Sequence, residues 1–311
     1  MTVLRPFGVS GVIISLLSAL IFSLLVFHRH IPNAAWNLGS LTETFLPWLG
    51  WFIPPLLVWA GIKRNLTVIA VSLLPVLVWG YIFGPLLPPK SEGPGEFRVV
   101  SHNVEDVNPD PESTARDLMD SNADLIALVE VTEDAKPIYE EVLGEEYPHV
   151  VDYGTVALWS QHPIRDSYPV EIGLDWVRAF QTHVDIDGQD VSVYVAHLLS
   201  VRFLPDAGFT IDQRNETVQR LGDDIEAQEL DQVVLMGDLN GTAQDKTLAP
   251  ITFQMQSAHA NAGQGFGFTW PSSFPVARID HVLYRGLDAT DAQVLEPTES
   301  DHRPVQADFN F

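Results

Sequence analysis

The sequence predicts an α/β protein of two unlike parts: a group of membrane helices, then a soluble domain built on a mixed sheet, or on two packed sheets with helices outside. Three observations predict it. Long charge-free apolar runs are confined to the first third of the chain. In the remainder, strand-like segments outnumber helical ones and often follow one another directly, which argues against a purely parallel doubly wound fold. Finally, carboxylates, amides and imidazoles recur where those strands end.

The charge distribution separates the two parts. Residues 1 to 95 hold five Lys or Arg and two acidic residues; the remaining 216 hold 12 basic and 39 acidic ones, a formal balance of −27. Cysteine is absent, which excludes disulfides, thiolate-bound zinc and a thiol nucleophile. Any metal must be held by oxygen and imidazole.

Phe7 to Phe27 is a run of 21 residues without charge, enough to cross a hydrocarbon core that needs about 20. It ends in Phe27, His28, Arg29 and His30 with no small-x-small cleavage site, so it reads as a retained helix and not a removed signal. Two further spans are expected at about 45–62 and 66–87, joined by a tight Lys63, Arg64, Asn65 turn. Pro47, Pro54, Pro55, Pro75 and Pro85 should kink these helices. Arg5, Lys63 and Arg64 fall on one side of the three spans and Arg29 on the other. The expectation is therefore a multi-pass protein of the cell membrane with a cytoplasmic N-terminus and an extracytoplasmic soluble domain. The 88–96 segment, rich in Pro, Gly and Ser, reads as a linker, and the soluble domain is expected over 97–311.

Along that domain, short apolar and β-branched runs predict strands at Phe97–Val104, Leu125–Val131, Thr155–Trp159, Ala179–Ile186, Val191–Ala196, Val233–Met236, Ile279–Tyr284 and Val305–Phe309. Helices are expected at Pro111–Ser121, Ala135–Leu143 and Asp212–Gln228. Asp187 and Gly188 supply a hairpin turn between the fifth and sixth strand signals.

The segment FRVVSHNVED leads to Asn103 and Glu105, DLIALVEV to Glu130, VSVYVAHL to His197, and VVLMGDLN to Asp238 and Asn240. ARIDHVLY carries Asp280, and ESDHRPV opens a strand with Asp301 and His302. Each alone has an ordinary explanation. Glu130 suits a solvated strand edge, His197 a core histidine bonded to a carbonyl, Asp280 a structural partner of Arg278, and Asp301 with His302 a turn cap. Together they point elsewhere, because a charge inside a buried strand costs several kcal/mol unless it is paired or metal-bound.

The ordered set of Asn103 with Glu105, Glu130, His197, Gly-Asp-Leu-Asn at 237–240, Arg278 to Asp280, and Ser-Asp-His-Arg-Pro at 300–304 resembles the endonuclease/exonuclease/phosphatase superfamily. That group includes abasic-site endonucleases, neutral sphingomyelinases and inositol polyphosphate 5-phosphatases. The resemblance covers essentially all of 97–311, and the layout is similar to bacterial membrane-anchored members. It implies a four-layer α/β sandwich, two mixed sheets flanked by helices, and hydrolysis of a phosphate ester with Mg²⁺ or Mn²⁺. Glu130 and the Asn103 carbonyl are then the expected metal ligands, with Glu105 and Asp301 as further ligands or orienters. Asp238 is expected to deprotonate the attacking water, with Asn240 donating to water or phosphate. His302, fixed by Asp280, and His197 are expected to donate to phosphoryl oxygens. Arg178, Arg202 and Arg214 are the cations near the motifs, each a candidate for gripping phosphate or for pairing with the abundant acids. Trp270 is either a lip of the site or a packing residue.

Charge bears on the substrate. Nucleic-acid binding rests on Lys and Arg contacts to phosphates, and a domain this acidic with two lysines, Lys136 and Lys246, offers no basic stripe. The expectation is a membrane-anchored phosphoesterase acting on a small phosphoester or phospholipid headgroup, with a tethered nuclease for DNA or RNA as the alternative. A non-catalytic scaffold is disfavoured, since Glu130, Asp238, Asp280 and His302 are all present.

Overall fold

The computed structural model describes residues 8–33, 38–200 and 208–311, with side chains from Gln213 onward in the helix that starts at Gly208. Phe7, Arg5 and Arg202 lie outside the described residues. The chain divides into two compact units, Met1–Pro88 and Pro89–Phe311.

In the first unit, α1 (Val9–Phe27) and the short helical turn after it form a candidate span of 22 residues, Val9–His30. A second, Leu66–Leu86, is built on α4 (Leu66–Phe83). The span expected at 45–62 is not one straight helix. A bent pair occupies it, α2 (Leu38–Thr44) with a segment from Pro47 that continues into α3 (Ile53–Lys63), angled at 63°. Prolines have no N–H to donate, and Pro47, Pro54 and Pro55 cluster where the pair breaks into 3₁₀ turns. Two helices, or three if the bent pair counts as one span, are therefore long and apolar enough to cross a membrane. Arg64 ends α3 in a left-handed conformation (φ 51°), and the Asn65 side chain caps α4 by accepting from Thr67 and Val68 N–H. The buried Ser18 hydroxyl donates to that of Ser72, joining α1 to α4 at 3.2 Å.

The second unit holds β1 (Phe97–Asn103), α5 (Pro111–Met119), β2 (Leu125–Val129), α6 (Lys136–Leu143), β3 (His149–Asp152), β4 (Val156–Ser160), β5 (Ile164–Pro169), β6 (Ala179–Ile186) and β7 (Gln189–His197). It continues with α7 (Gly208–Ala227), β8 (Val233–Asp238), α8 (Ala249–Thr252), β9 (Gln256–Ser257), α9 (Ala258–Ala262), β10 (Asp280–Arg285), β11 (Asp288–Val294) and β12 (Val305–Asn310). They form two mixed sheets of six strands, ordered β11-β12-β1-β2-β4-β3 and β5-β6-β7-β8-β10-β9. The expected linker runs along the second unit: Glu92 N–H donates to Thr290 O and Glu96 N–H to Phe309 O.

Alternation along the strands builds the layers. In β2, Leu125, Ala127 and Val129 enter the core between the sheets, while Ile126 and Leu128 pack outward with Ala115, Leu118, Tyr139 and Leu143 of α5 and α6. In β8, Val234 and Met236 face the same inter-sheet core, and Val233 and Leu235 pack with Val218, Leu221 and Ile225 of α7 and with Ile251 of α8. The result is the four-layer arrangement of helices, sheet, sheet and helices.

Strand direction sets the position of the site. β1 and β2 run parallel, as do β7 and β8, so all four end on the same side of their sheets. Antiparallel β10 begins there, with Asp280 opposite Asp238, and Asp238 is in turn opposite His197. β12, antiparallel to β1, also starts at that end, just after His302.

Gly237 is needed for this register. Its φ is +141°, and a Cβ there would stand 1.9 Å from the Ala196 carbonyl oxygen of neighbouring β7. Backbone cannot yield as a flexible side chain does. Gly237→Ala is expected to destabilise the protein by about 3 kcal/mol or more, read as a fall in melting temperature of roughly 6–12 °C in the detergent-solubilised chain.

Candidate active site

The buried carboxylate of Asp238, 1% exposed, is the crossing point of the site. Its Oδ1 accepts from the Asn240 N–H at 2.8 Å, and its Oδ2 from the side-chain amides of Asn103 and Asn240, both at 3.1 Å. The Asn240 amide also donates to Leu198 O at 2.9 Å. Asn240 therefore uses its hydrogens to orient Asp238, where donation to water or phosphate was the expectation. Leu239 between them is fully buried in the core facing α7. His281, which sequence reasoning passed over, anchors the same turn through Nε2 to Gly241 O at 2.8 Å.

Asn103, at the end of β1, accepts on Oδ1 from the Glu105 N–H at 3.0 Å. Its own carbonyl accepts from the Ser300 hydroxyl at 2.7 Å, and that hydroxyl accepts from His302 N–H at 3.0 Å. Ser300 thus ties the loop carrying His302 to β1. Glu130 follows β2 directly; its Oε2 accepts from Asp106 N–H at 3.3 Å, and its Oε1 lies 3.4 Å from His197 Nε2. Glu105, Glu130 and Asn240 all hold left-handed backbone, at φ 62°, 64° and 49°. Non-glycine residues visit that region at a cost, and such strain gathers at functional sites.

Asp280 accepts from His302 Nδ1 at 3.1 and 2.9 Å on its two oxygens, leaving Nε2 directed toward Asp238 Oδ2 at 3.9 Å. Burial works against a charged His302, but the charge and hydrogen bond of Asp280 outweigh it and push its pKa up to about 10. Burial would raise Asp280, and the His302 charge and hydrogen bond with the Thr269 hydroxyl bring it below its ordinary value. Thr269 was the other missed residue, visible only as a polar neighbour of the Trp270 lip. Asp238 goes the other way. Burial and the Asp280 charge push it up to about 7, more than His302 and its amide donors pull it down. His197 stands 3.7 Å from Asp238 Oδ2. Burial, the Arg178 charge and the His302 charge hold it well below its usual pKa, so it is a neutral imidazole and neither contact is an ion pair.

Two of the expected phosphate cations are placed differently. Arg178 donates through Nε to His197 O at 2.7 Å and so sits beside the site. Arg214 does not line it. Its side chain is 5% exposed and its guanidinium donates to Asp245 Oδ2 at 2.7 Å and Asn240 O at 3.2 Å. A buried guanidinium needs a carboxylate, and Arg214 found one beneath the 238–241 turn. Arg278 does not pair with Asp280, whose partner is His302. At the rim, Trp270 Nε1 donates to Asp301 Oδ2 at 3.0 Å, and Asp301 N–H to Glu105 Oε2 at 2.9 Å.

Over residues 100–302 the sequence matches the Endonuclease/Exonuclease/phosphatase family. The chain belongs to that family. It is accordingly a metal-dependent phosphoric ester hydrolase. A search of curated proteins gave no match. Among solved structures, D. rerio TDP2 complexed with single strand DNA product is similar at 16% identity and a TM-score of 0.58, over 69% of this chain and 99% of that one. Sphingomyelinase C from Streptomyces griseocarneus is 18% identical with a TM-score of 0.53, over 68% of this chain and 98% of the other. A beta toxin variant from Staphylococcus aureus with bound magnesium ions is 17% identical with a TM-score of 0.53, over 68% and 98%. At such identities these neighbours bear on the fold alone.

The donor set fits the divalent metal that the family uses. Glu130 Oε1 and Asp238 Oδ2 both lie close to His197 Nε2, at 3.4 and 3.7 Å, and Asn103 adds an amide beside Asp238, so the set offers oxygen without sulfur, as a hard cation requires. The carboxylate of Asp238 is ill-compensated where it stands, and a cation beside it would restore its ordinary acidity. Asp238, Asp280 and His302 also bring ligand-type atoms within 4.8 Å of one another, although His302 Nδ1 and Asp280 are already joined.

Because Arg214 is a structural cation, Arg214→Ala is expected to destabilise the fold by about 3–5 kcal/mol by stranding Asp245. Thermal melting should show the loss, and KM of the folded fraction for any phosphoester should stay within about twofold of the parent.

Proposed function

We propose that the protein is a membrane-anchored phosphoesterase that directs water at a phospholipid headgroup or small phosphoester, with Mg²⁺ or Mn²⁺ held by Glu130 and Asn103 beside Asp238. The observation that carries this reading is a buried carboxylate, Asp238, faced from one side by a cationic His302 and from the other by a neutral His197. One residue is tuned to accept a proton near neutral pH and another to keep one, an arrangement suited to general base and electrostatic stabiliser.

In this mechanism a water hydrogen-bonded to Asp238 Oδ2 gives up its proton as its oxygen attacks phosphorus. Asn103 and Asn240 keep the carboxylate in one orientation, so little reorganisation is needed at that moment. His302, aligned by Asp280, presents Nε2–H to a phosphoryl oxygen, and His197 offers a donor to another. Glu105 and Asp301 brace the loops that carry these groups. A bound cation supplies positive charge that polarises the phosphoryl oxygen and offsets its growing negative charge.

Two features favour lipid over nucleic acid. The −27 balance of the soluble part repels polyphosphate. The rim around Trp270 and Asp301 also carries apolar side chains turned to solvent, with Trp270 39%, Phe274 70% and Val107 72% exposed. Such groups suit a headgroup boundary. The apolar helices of the first unit supply the anchor, in a multi-pass arrangement with the catalytic domain extracytoplasmic, which protease access in intact cells tests.

The activity assay uses the full chain in phospholipid vesicles with Mg²⁺, beside soluble phosphodiesters, inositol phosphates and DNA. Headgroup release that chelator abolishes and that Asp238→Asn lowers by roughly 10³-fold is expected; hydrolysis of DNA alone would defeat the lipid reading. The rate should fall with acid as Asp238 takes up a proton, at or below about 7 because the cation lowers that value, and should fall with base only near 10, where His302 loses its proton. Replacing Trp270 and Phe274 together by Ala should lower the rate on vesicles by roughly tenfold while sparing a soluble ester, since only the vesicle rate draws on apolar contact.

A further inference from the structure

Sharing a crevice with Asp280 is a second group of basic side chains that the mechanism does not use. Arg278, two residues before β10, is 6% exposed, and its Nη1 is buried without a hydrogen-bond partner among the described residues. No ion pair reaches it among those residues. A buried guanidinium in that condition is costly, and it is the more unexpected in a domain with more than three acidic residues for each basic one.

The surroundings deepen the imbalance. Lys90 approaches from the segment before β1, donating to Ala260 O, and burial, then the Arg278 charge, lower its pKa. His259 and His281 are the other titratable groups turned toward Arg278. Each places Nε2 against a carbonyl, Gly265 O at 3.2 Å and Gly241 O at 2.8 Å, as an N–H donor would. Burial and the Arg278 charge push both well down, to about 3 and 4, so neither adds a charge or removes one near neutral pH. Burial pulls Arg278 itself down to about 10, which still leaves it protonated. Asp280 is the one carboxylate lining this crevice, and it is taken up by His302.

Arg278 lines a partly enclosed crevice between β10, β12 and α9, walled also by Ser257, Gln293 and Gln306. Its cavity volume is about 10 Å³, close to the least that holds a single water-sized particle. A single small ion suits that space better than a polyatomic oxyanion does. We propose that this crevice binds a monatomic monovalent anion of chloride size, held by Arg278 with Lys90 behind it. The anion supplies the negative charge that the fold withholds from Arg278, two residues before Asp280 at the start of β10. The crevice shares Asp280 with the phosphoester centre, but the proposal rests on Arg278 and stands whether or not the substrate reading does.

The test compares thermal melting of the full chain in detergent in sodium chloride, sodium bromide and sodium isethionate at equal ionic strength and without divalent metal, so that activity is not the readout. Chloride and bromide should raise the melting temperature saturably, by roughly 2–4 °C over isethionate. Arg278→Gln should abolish that difference, and Lys90→Gln should weaken the halide dependence at least threefold. Bromide soaked into crystals of the parent protein should give an anomalous peak beside the Arg278 guanidinium. A halide response that survives in Arg278→Gln, equal melting in all three salts, or a crevice holding only water in bromide would each overturn the proposal. Should Arg278→Gln fail to fold, Lys90→Gln and the bromide peak decide the matter.

Discussion

The site depends on keeping one carboxylate out of water at the meeting point of two sheets. Asp238 stands where β8 ends, with Asn103 from β1, His197 from β7 and the His302 loop converging on a single oxygen, Oδ2. A carboxylate so buried is stable only if its lone pairs are occupied. The amides of Asn103 and Asn240 occupy some of them, and the remaining deficit leaves the group with a raised proton affinity. In the proposed mechanism that deficit is the useful property, because it suits Asp238 to act as a base beside a hard cation.

The opposing shifts of Asp238 and His302 have a common origin. Both are buried, and burial alone would neutralise both. What separates them is the partner: His302 has Asp280 hydrogen-bonded to its Nδ1, whereas Asp238 has neutral amide donors, the His302 charge only at 3.9 Å, and the repulsion of Asp280 nearby. One carboxylate thus holds a proton on the imidazole and disfavours charge on the second carboxylate. Removing Asp280 would perturb both members of the pair, so the three residues act as a unit and not as independent contributors.

The left-handed residues at the strand ends show how the scaffold delivers these groups. A strand carries side chains alternately to its two faces, and the faces of both sheets are occupied by cores. To place a carboxylate at the end of the sandwich, the chain must leave β geometry at once, as it does at Glu130 and at Asn240. The strain is offset by the backbone donors and acceptors that those turns engage, Asp106 N–H on Glu130 and the Asn240 N–H on Asp238.

How much of this was legible beforehand varies with the range of the interaction involved. Apolar runs, the alternation in β2 and β8, and the polar residues ending β1, β2, β7 and β8 are local patterns, and they were sufficient for the apolar helices α1 and α4, for the α/β class and for naming the candidates Asn103, Glu130, His197, Asp238, Asp280 and His302. The strands β3, β5, β9 and β11 were not foreseen. They are the four edge strands of the two sheets, short or polar, held by pairing and not by their own composition. The break near Pro47 was foreseeable as a kink, yet its 63° angle was not. Arg214 and Arg278 illustrate the limit most sharply: one arginine proved to be locked to Asp245 and the other left without an ion pair among the described residues, and no spacing in the chain distinguishes them. By itself the sequence determined which chemical groups the protein carries and the periodicity that places them at strand ends. Only the tertiary structure decided which groups meet, because contacts between residues more than 100 positions apart, such as Asn103 with Asp238, are set by sheet order and register.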